Sequence, residues 1–463
     1  MLMLEDYDAW FEKNRASVLD DFFTFLKFPS ISTDPAHKND MLACQKWLVS
    51  YMESCGLNVE VWETSGHPSV FGEMPSKEKE APTLLFYGHY DVQPAVPLDE
   101  WKSPPFEPEV RDNVIYARGA VDNKGQGFYT LIGIRAFLEL TKEKNVHIKV
   151  LIEGEEEVGS PGLEEIAEAK KEALKADHVF VVDLDMSARG KPAVTLGIRG
   201  VANLNATVTN TNCDLHSGVF GGMVLNPARA LATVLGKMWD DQGKVTIPGF
   251  YDGVKTLSKE ELSILNWDTD VEARSESLDV RVFQGEGEYS LLESNWIRPT
   301  LEINGIESGY TGDGFKTIIP AKASVKLSCR LVPGQDPEKV LKEIAAFLKN
   351  NLPEGIELRL EIGHGTPGVM TSPQSDTVEG TIEAYERVYS APCCRQLCGA
   401  TIPIVPTLSR VCGGELVMMG VGLSTDNMHA PNECFGLDRF KEGFLSVTQI
   451  LEIFSGGGFR WHA

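Results

Sequence analysis

The chain has 463 residues, of which 42% are apolar and 24% charged, and it sets 67 Asp and Glu against 43 Lys and Arg for a formal net charge of -24. That composition is ordinary for a folded protein and excludes a collagen-like, coiled-coil or wholly disordered chain. A surface of this sign repels phosphate backbones and anionic lipid, so neither nucleic acid nor a membrane is expected as a partner. At about 150 residues per domain, the length allows roughly three domains or one large interrupted one.

No stretch approaches the roughly 18 uninterrupted apolar residues of a bilayer span. The start, Met1 to Asp8, is acidic where a signal peptide would be basic, and a cytoplasmic location is expected. The nine cysteines include the adjacent pair Cys393 and Cys394. They fit neither a disulfide framework nor a CxxC zinc spacing and read as reduced thiols.

The aromatic-rich first segment is broken by Glu12, Lys13, Arg15, Asp20 and Asp21, the pattern of an amphipathic surface helix. Strands are then predicted over 57–62, 83–92, 147–152, 178–184 and 193–198, and helices over 40–54, 127–140 and 162–175. Alternation of short apolar runs with helical patterns implies an α/β layer fold with a mostly parallel sheet and flanking helices. After Gly200 the texture changes to alternating strands (201–208, 323–331, 357–362) around helices 227–240 and 337–348, an antiparallel sheet with helices on one face. The acidic stretch 242–294 reads as an irregular surface insertion. From Ser375 the α/β texture resumes with helix 378–389 and strand 416–421. The expected organisation is a catalytic domain in two parts, 1–200 and 373–463, interrupted by an α+β domain over 201–372.

Of the nine histidines, His37, His67, His147, His178 and His462 have solvated or packed contexts. His89 ends the apolar run 84–88, at the sheet edge where α/β folds hold ligands, with Asp91 two residues on. A strand's period of two points both side chains to one face, so Asp91 can accept one ring N–H and leave the other nitrogen for a metal. A satisfied structural histidine is the alternative. Asp122 lies in a Gly-bounded turn before a helix, which turn chemistry alone would explain. The run EGEEEVG over 153–159 crowds carboxylates at a strand end, costly unless a cation or proton is shared; a solvated acidic turn is the competing reading. Asp183 also ends a strand, and His429 sits in a polar loop. Two His and three or more carboxylates near one sheet edge suit a pair of divalent ions bridged by a carboxylate.

The motifs GHYDVQP, ARGAVDNKGQ, EGEEEVGS, GIRG, DLHSGVFGG and the His429 loop together resemble the co-catalytic metallopeptidases, a family that includes carnosine dipeptidase, glutamate carboxypeptidase G, aminoacylase and succinyl-diaminopimelate desuccinylase. The carnosine dipeptidase branch is the most similar. The resemblance implies two divalent ions, zinc or manganese, one held by His89 and Asp183, the other by Glu157 and His429, with Asp122 bridging. It also implies Glu156 as general base, beside the Asp91 partner of His89 read above from strand periodicity. In the inserted domain, His216 matches a histidine that reaches the neighbouring subunit's site in dimeric relatives, which implies a homodimer. Arg330 matches an arginine that grips a substrate carboxylate, and Thr317, His364 and Thr401 match substrate-contacting positions. One segment departs from the branch: Leu397 and Cys398 stand where it carries arginine and a glutamate that meets a free amine. The expected activity is metal-dependent hydrolysis of dipeptides or other small peptides. The rivals are an N-acyl amino acid deacylase or carbamoylase on the same two metals, and a catalytically silent peptide-binding protein.

Overall fold

The structure is a computed structural model describing residues 2–142, 144–265, 271 and 280–456. His462 and residues 266–270 and 272–279 of the 242–294 insertion lie outside the described residues. The larger sheet contains β1 (Asn58–Trp62), β2 (Ser69–Met74), β3 (Thr83–His89), β4 (His147–Glu153), β5 (His178–Val182), β6 (Ala193–Ile198) and, after a long excursion, β11 (Val369–Met370), β12 (Cys394–Cys398) and β13 (Glu415–Met419). Its order is β1-β2-β4-β3-β5-β13-β6-β11, with β12 also on β6. The centre, β4-β3-β5-β13, is parallel. These strands are buried on both faces and so read as continuous apolar runs such as Leu84 to Tyr87.

Helices cover both faces. One carries α1 (Leu4–Leu26), α2 (Lys38–Ser54), α3 (Lys124–Leu140), α7 (Asp376–Tyr389) and α9 (Leu437–Ser455) around an aromatic core. There Phe22 of α1 stacks on Phe128 at 5.3 Å and on Phe440 at 5.0 Å. Truncating such a ring costs about 3–5 kcal/mol. The opposite face carries α4 (Pro161–Ala167), the turn of helix Lys171–Leu174 and α8 (Val405–Cys412).

A second sheet, β8-β9-β7-β10, is built from β7 (Gly200–Thr209), β8 (Thr300–Ser308), β9 (Lys322–Leu331) and β10 (Glu357–Thr366), all antiparallel. Along β9 every second residue is buried, the pattern of a sheet with one packed face. Helices α5 (Pro227–Leu235) and α6 (Pro337–Asn351) share its core.

The expected α/β class with a mainly parallel sheet and flanking helices is borne out. The helix expected over 162–175 is instead two pieces. The Lys171 N–H reaches back only three residues, to Glu168 O, and tightens the chain at the break. Strand β12 lacks a clean alternation, since Arg395 and Gln396 interrupt it, and it is recognisable only by its parallel pairing with β6. No helix among the described residues is long and apolar enough to cross a membrane.

Candidate metal centre

Three parallel strands end side by side. Register pairs His89 with Glu153 across β3 and β4, and Tyr87 with Val181 across β3 and β5. The C-terminal ends therefore deliver His89, the Glu156–Val158 turn and Asp183 to one edge. Asp122 arrives from the turn before α3, and His429 from the loop between β13 and α9. His89 Nε2 lies 3.3 Å from Asp122 Oδ1 and 3.7 Å from Asp183 Oδ1. His429 Nε2 lies 2.8 Å from Asp122 Oδ2 and 3.4 Å from Glu157 Oε2. Asp122 thus offers one oxygen to each of two groups, His89-Asp122-Asp183 and Asp122-Glu157-His429, whose ligand atoms lie within 4.8 Å of one another in each group.

Neighbouring groups hold these side chains. His89 Nδ1 is 3.2 Å from Asp91 Oδ1 and 3.0 Å from the Asp91 carbonyl. The Asp91 carboxylate also accepts from Glu156 N–H at 3.2 Å, Glu157 N–H at 3.1 Å and the Ser32 hydroxyl at 2.7 Å. It ties the histidine to the acidic turn.

Asn123 was not singled out from sequence. Its amide donates to Val182 O at 2.8 Å and Asp183 Oδ1 at 2.6 Å, and its oxygen accepts from His89 N–H at 3.2 Å. Gly88 allows that approach, because a Cβ there would stand 2.7 Å from Asn123 Oδ1. Glu433, also missed, is fully buried. Its carboxylate accepts from Arg118 Nη1 at 2.8 Å and from the N–H groups of Gly119, Val121 and Asp122 at 2.9, 3.0 and 3.1 Å. The His429 loop is anchored by Arg439, which donates to both Asp426 oxygens at 2.6 Å. His429 itself has φ 60°, the left-handed region.

The crowded charges leave an electrostatic mark. Burial and nearby acids push the Glu156 carboxyl well above the usual carboxylate range, with His89 opposing. Burial raises Asp183 to about 6, again against His89. Hydrogen bonds to Asp122 and Glu157 raise His429 to about 10. Within this cluster His89 Nε2 and Glu157 Oε1 are buried without a hydrogen-bond partner. Buried polar atoms are normally paired, so two orphans, one on each of the two groups, fit divalent cations. An imidazole and carboxylate donor set suits a borderline divalent ion.

A cleft of about 820 Å³ runs from Asp183 to Arg330 and the 396–400 segment. Arg330 Nη1 donates to Thr401 Oγ1 at 2.7 Å. His216, Thr317 and His364 are exposed on the inserted segment, outside both the metal groups and this cleft's lining. His216 and Thr317 are neighbours, with Ser217 N–H donating to Thr317 O at 3.0 Å.

A parallel sheet with two carboxylate and imidazole groups at its C-terminal edge, sharing one aspartate, defines a metal-dependent hydrolase. The chain belongs to the peptidase family M20/M25/M40, whose pattern matches residues 85–453. It is 33% identical over 462 residues to the Cys-Gly metallodipeptidase dug1 of Schizosaccharomyces pombe, covering 94% of this chain and 96% of that one. An M20 family metallo-carboxypeptidase, Sso-CP2 from Sulfolobus solfataricus, superposes with a TM-score of 0.85 at 33% identity, covering 95% of this chain and 99% of that one. Human carnosine dipeptidase 1 superposes with a TM-score of 0.84 at 26% identity, covering 98% and 99%. The resemblance to the carnosine dipeptidase branch is borne out.

Proposed function

We propose that this metallopeptidase hydrolyses dipeptides and other small peptides with two divalent ions, zinc or manganese. His89, Asp122 and Asp183 hold one ion, and Asp122, Glu157 and His429 the other. The observation that carries this reading is the division of the Asp122 oxygens between His89 and His429. Such ions, when bound, polarise the scissile carbonyl and acidify the attacking water. Glu156, with its carboxyl raised by burial, takes the water's proton and returns it to the leaving amine nitrogen. Asp91 fixes the tautomer of His89.

Arg330 grips the substrate's C-terminal carboxylate, since a planar guanidinium binds carboxylate bidentately, and Thr401 orients it. Cys398 leaves the amine side without a carboxylate at that position, so a free C-terminus matters more than a free N-terminus. Likeness to the metallo-carboxypeptidase Sso-CP2 supports this ranking. The names of the relatives favour peptide hydrolysis over the deacylase, carbamoylase and silent-binding readings. Residues 1–200 and 373–463 form the catalytic domain, and 201–372 a lid. Across a two-fold homodimer, His216 stabilises the oxyanion in its neighbour's site, with Thr317 and His364 contacting substrate. The enzyme works in the cytoplasm. The test is a panel of dipeptides, acylated amino acids and carbamoyl amino acids, each assayed after exhaustive chelation and again with Zn²⁺ or Mn²⁺ restored. Full turnover without metal, or turnover of the acylated and carbamoyl compounds alone, refutes the proposal.

A further inference from the structure

The turn that carries Glu156 and Glu157 is closed by its own end residues. It leaves β4 at Glu153 and reaches α4 through Ser160, and these two side chains meet, the Ser160 hydroxyl donating to Glu153 Oε1 at 2.9 Å. The same oxygen accepts from the Tyr87 hydroxyl at 2.6 Å. Tyr87 stands two residues before His89 on β3 and so shares its face of the strand. Glu153 and Ser160 are fully buried, and Tyr87 nearly so. Inside the turn, Ser160 N–H donates to Glu155 O at 2.7 Å and Gly159 N–H to Glu156 O at 2.9 Å. Burial, and then the charges of Glu153 and Glu156, push the Tyr87 phenol well above its ordinary range, which places its hydroxyl within electrostatic reach of the base.

Local rules do not account for Ser160. Its φ of 58° and ψ of 33° lie in the left-handed region, where a residue other than glycine costs about 1–3 kcal/mol. A serine before a helix ordinarily caps it, accepting from a backbone N–H of the first turn. Ser160 holds the N-cap position of α4, yet its side chain makes no capping bond. Its one side-chain partner is Glu153. Glu153 is equally costly where it stands: among the described residues its carboxyl pairs with no cation, and Oε2 is buried without a partner. A strained serine and an uncompensated buried carboxyl, each satisfied through the other, are poor choices for stability alone.

We infer that Glu153, Ser160 and Tyr87 are positioning residues, which act on the reaction through the turn 154–159 by fixing the Glu156 carboxyl for proton transfer. Asp91 holds the turn by the N–H groups of Glu156 and Glu157. The bond between Glu153 and Ser160 locks its two ends, and Tyr87 ties that lock to the strand that bears His89. The inference rests on the peptidase reading above, with Glu156 as base, and adds what keeps that base in place. A group that aims the base without touching the substrate bears on kcat rather than KM.

Ser160→Gly separates the two roles open to this serine. Glycine takes the left-handed conformation without strain but has no hydroxyl, so a purely structural Ser160 predicts an unfolding midpoint and a kcat no lower than those of the wild type. The positioning role predicts a kcat lower by roughly 10- to 100-fold, the usual scale for a misplaced catalytic group, with KM and bound metal unchanged. The assay uses the metal-loaded enzyme and the dipeptide that the wild type cleaves fastest in the panel above. Tyr87→Phe removes the second hydroxyl, keeps the ring and should lower kcat in the same way. Glu153→Gln, whose amide oxygen can still accept both hydroxyls, should keep more of kcat than Glu153→Ala. Wild-type kcat in Ser160→Gly or Tyr87→Phe overturns the inference and leaves the peptidase reading intact. So does a loss of kcat accounted for by lost metal or by unfolding at the assay temperature, or a Glu153→Gln enzyme as impaired as Glu153→Ala. A wild type that cleaves no peptide of the panel overturns both.

Discussion

Replacing Glu433 by Gln tests whether a buried carboxylate, distant in sequence, builds the metal-bridging turn. Glu433 Oε2 accepts from Arg118 Nη1 and Gly119 N–H, while Oε1 accepts from Val121 and Asp122 N–H. An amide has one oxygen and one NH2 group. Whichever way the substituted amide turns, its NH2 group meets two donors that can no longer be satisfied, each costing about 1–3 kcal/mol. The Arg118 guanidinium, 1% exposed, also loses its only ion-pair partner among the described residues. Breaking a buried pair from one side costs about 3–5 kcal/mol. These costs describe the same atoms and do not add, so the expected loss is about 3–5 kcal/mol in metal-free protein.

The loss falls on residues 118–122, so it should also reach the Asp122 carboxylate. Groups supporting metal ligands typically contribute roughly 10- to 100-fold in affinity. Urea unfolding of the metal-free variant and calorimetric titration with Zn²⁺ measure the two effects. In an Arg118→Met background the same substitution should cost less, because the uncompensated cation is gone. A stability loss below about 1 kcal/mol together with unchanged metal affinity would refute the argument, since a buried acceptor of four donors cannot be replaced so cheaply.

Glu156→Gln is expected to retain metal but lose turnover by several orders of magnitude, whereas His89→Ala and His429→Ala should lose metal, as read by metal content after dialysis. If Glu156→Gln strips a metal, base and ligand are interchanged. Amidating a substrate's C-terminal carboxylate should reduce kcat/KM more than acetylating its amine; the reverse ranking would reveal an amine pocket. Metal binding should release protons and strengthen as pH rises, because His429, held at about 10 by Asp122 and Glu157, must lose its proton to become a ligand; calorimetry in buffers of different ionisation enthalpy reads the release, and a pH-independent affinity counts against His429. Finally, Glu156→Gln and His216→Ala should each be nearly inactive, yet mixed under conditions that exchange subunits they should recover roughly a quarter of wild-type activity, because half the dimers are mixed and half their sites intact; no recovery above the parents rules out the shared site.

The sheet was legible because its central strands are buried on both faces. Leu84 to Tyr87 and Val179 to Val182 read as unbroken apolar runs, and a polar residue terminating each run marks the sheet edge. His89 and Asp183 stand out for that reason. Asn123 and Glu433 lie inside the recognised motifs but do not stand out, since their roles consist of hydrogen bonds to residues 34 to 315 positions away. No local periodicity encodes such a partner. Strand β12 is hidden for a related reason: its pairing with β6 is non-local, and Arg395 faces Glu379 of α7 where an apolar residue would have signalled burial.

The acidic residues at this edge divide by how the chain satisfies them. Asp91 receives a hydroxyl and two backbone N–H groups, Glu433 an arginine and three N–H groups, and Asp426 a bidentate arginine and the Leu423 N–H. These are carboxylates whose charge the fold itself neutralises or solvates. Among the described residues the Asp122 carboxylate is met only by the two histidines, and Glu157 by His429 and the Gln93 amide, leaving its other oxygen orphaned. The supporting acids are thus met by three or more donors each, whereas Asp183 and Glu157 each receive a single amide besides a histidine, and lone pairs left over in this way suit a cation. The same comparison applied to the bases singles out Arg330: Arg118 and Arg439 have buried carboxylate partners, whereas Arg330 has none among the described residues. The cleft thus carries Asp183 of the metal group at one end and Arg330 at the other, the separation that the proposed grip on a substrate's C-terminal carboxylate requires.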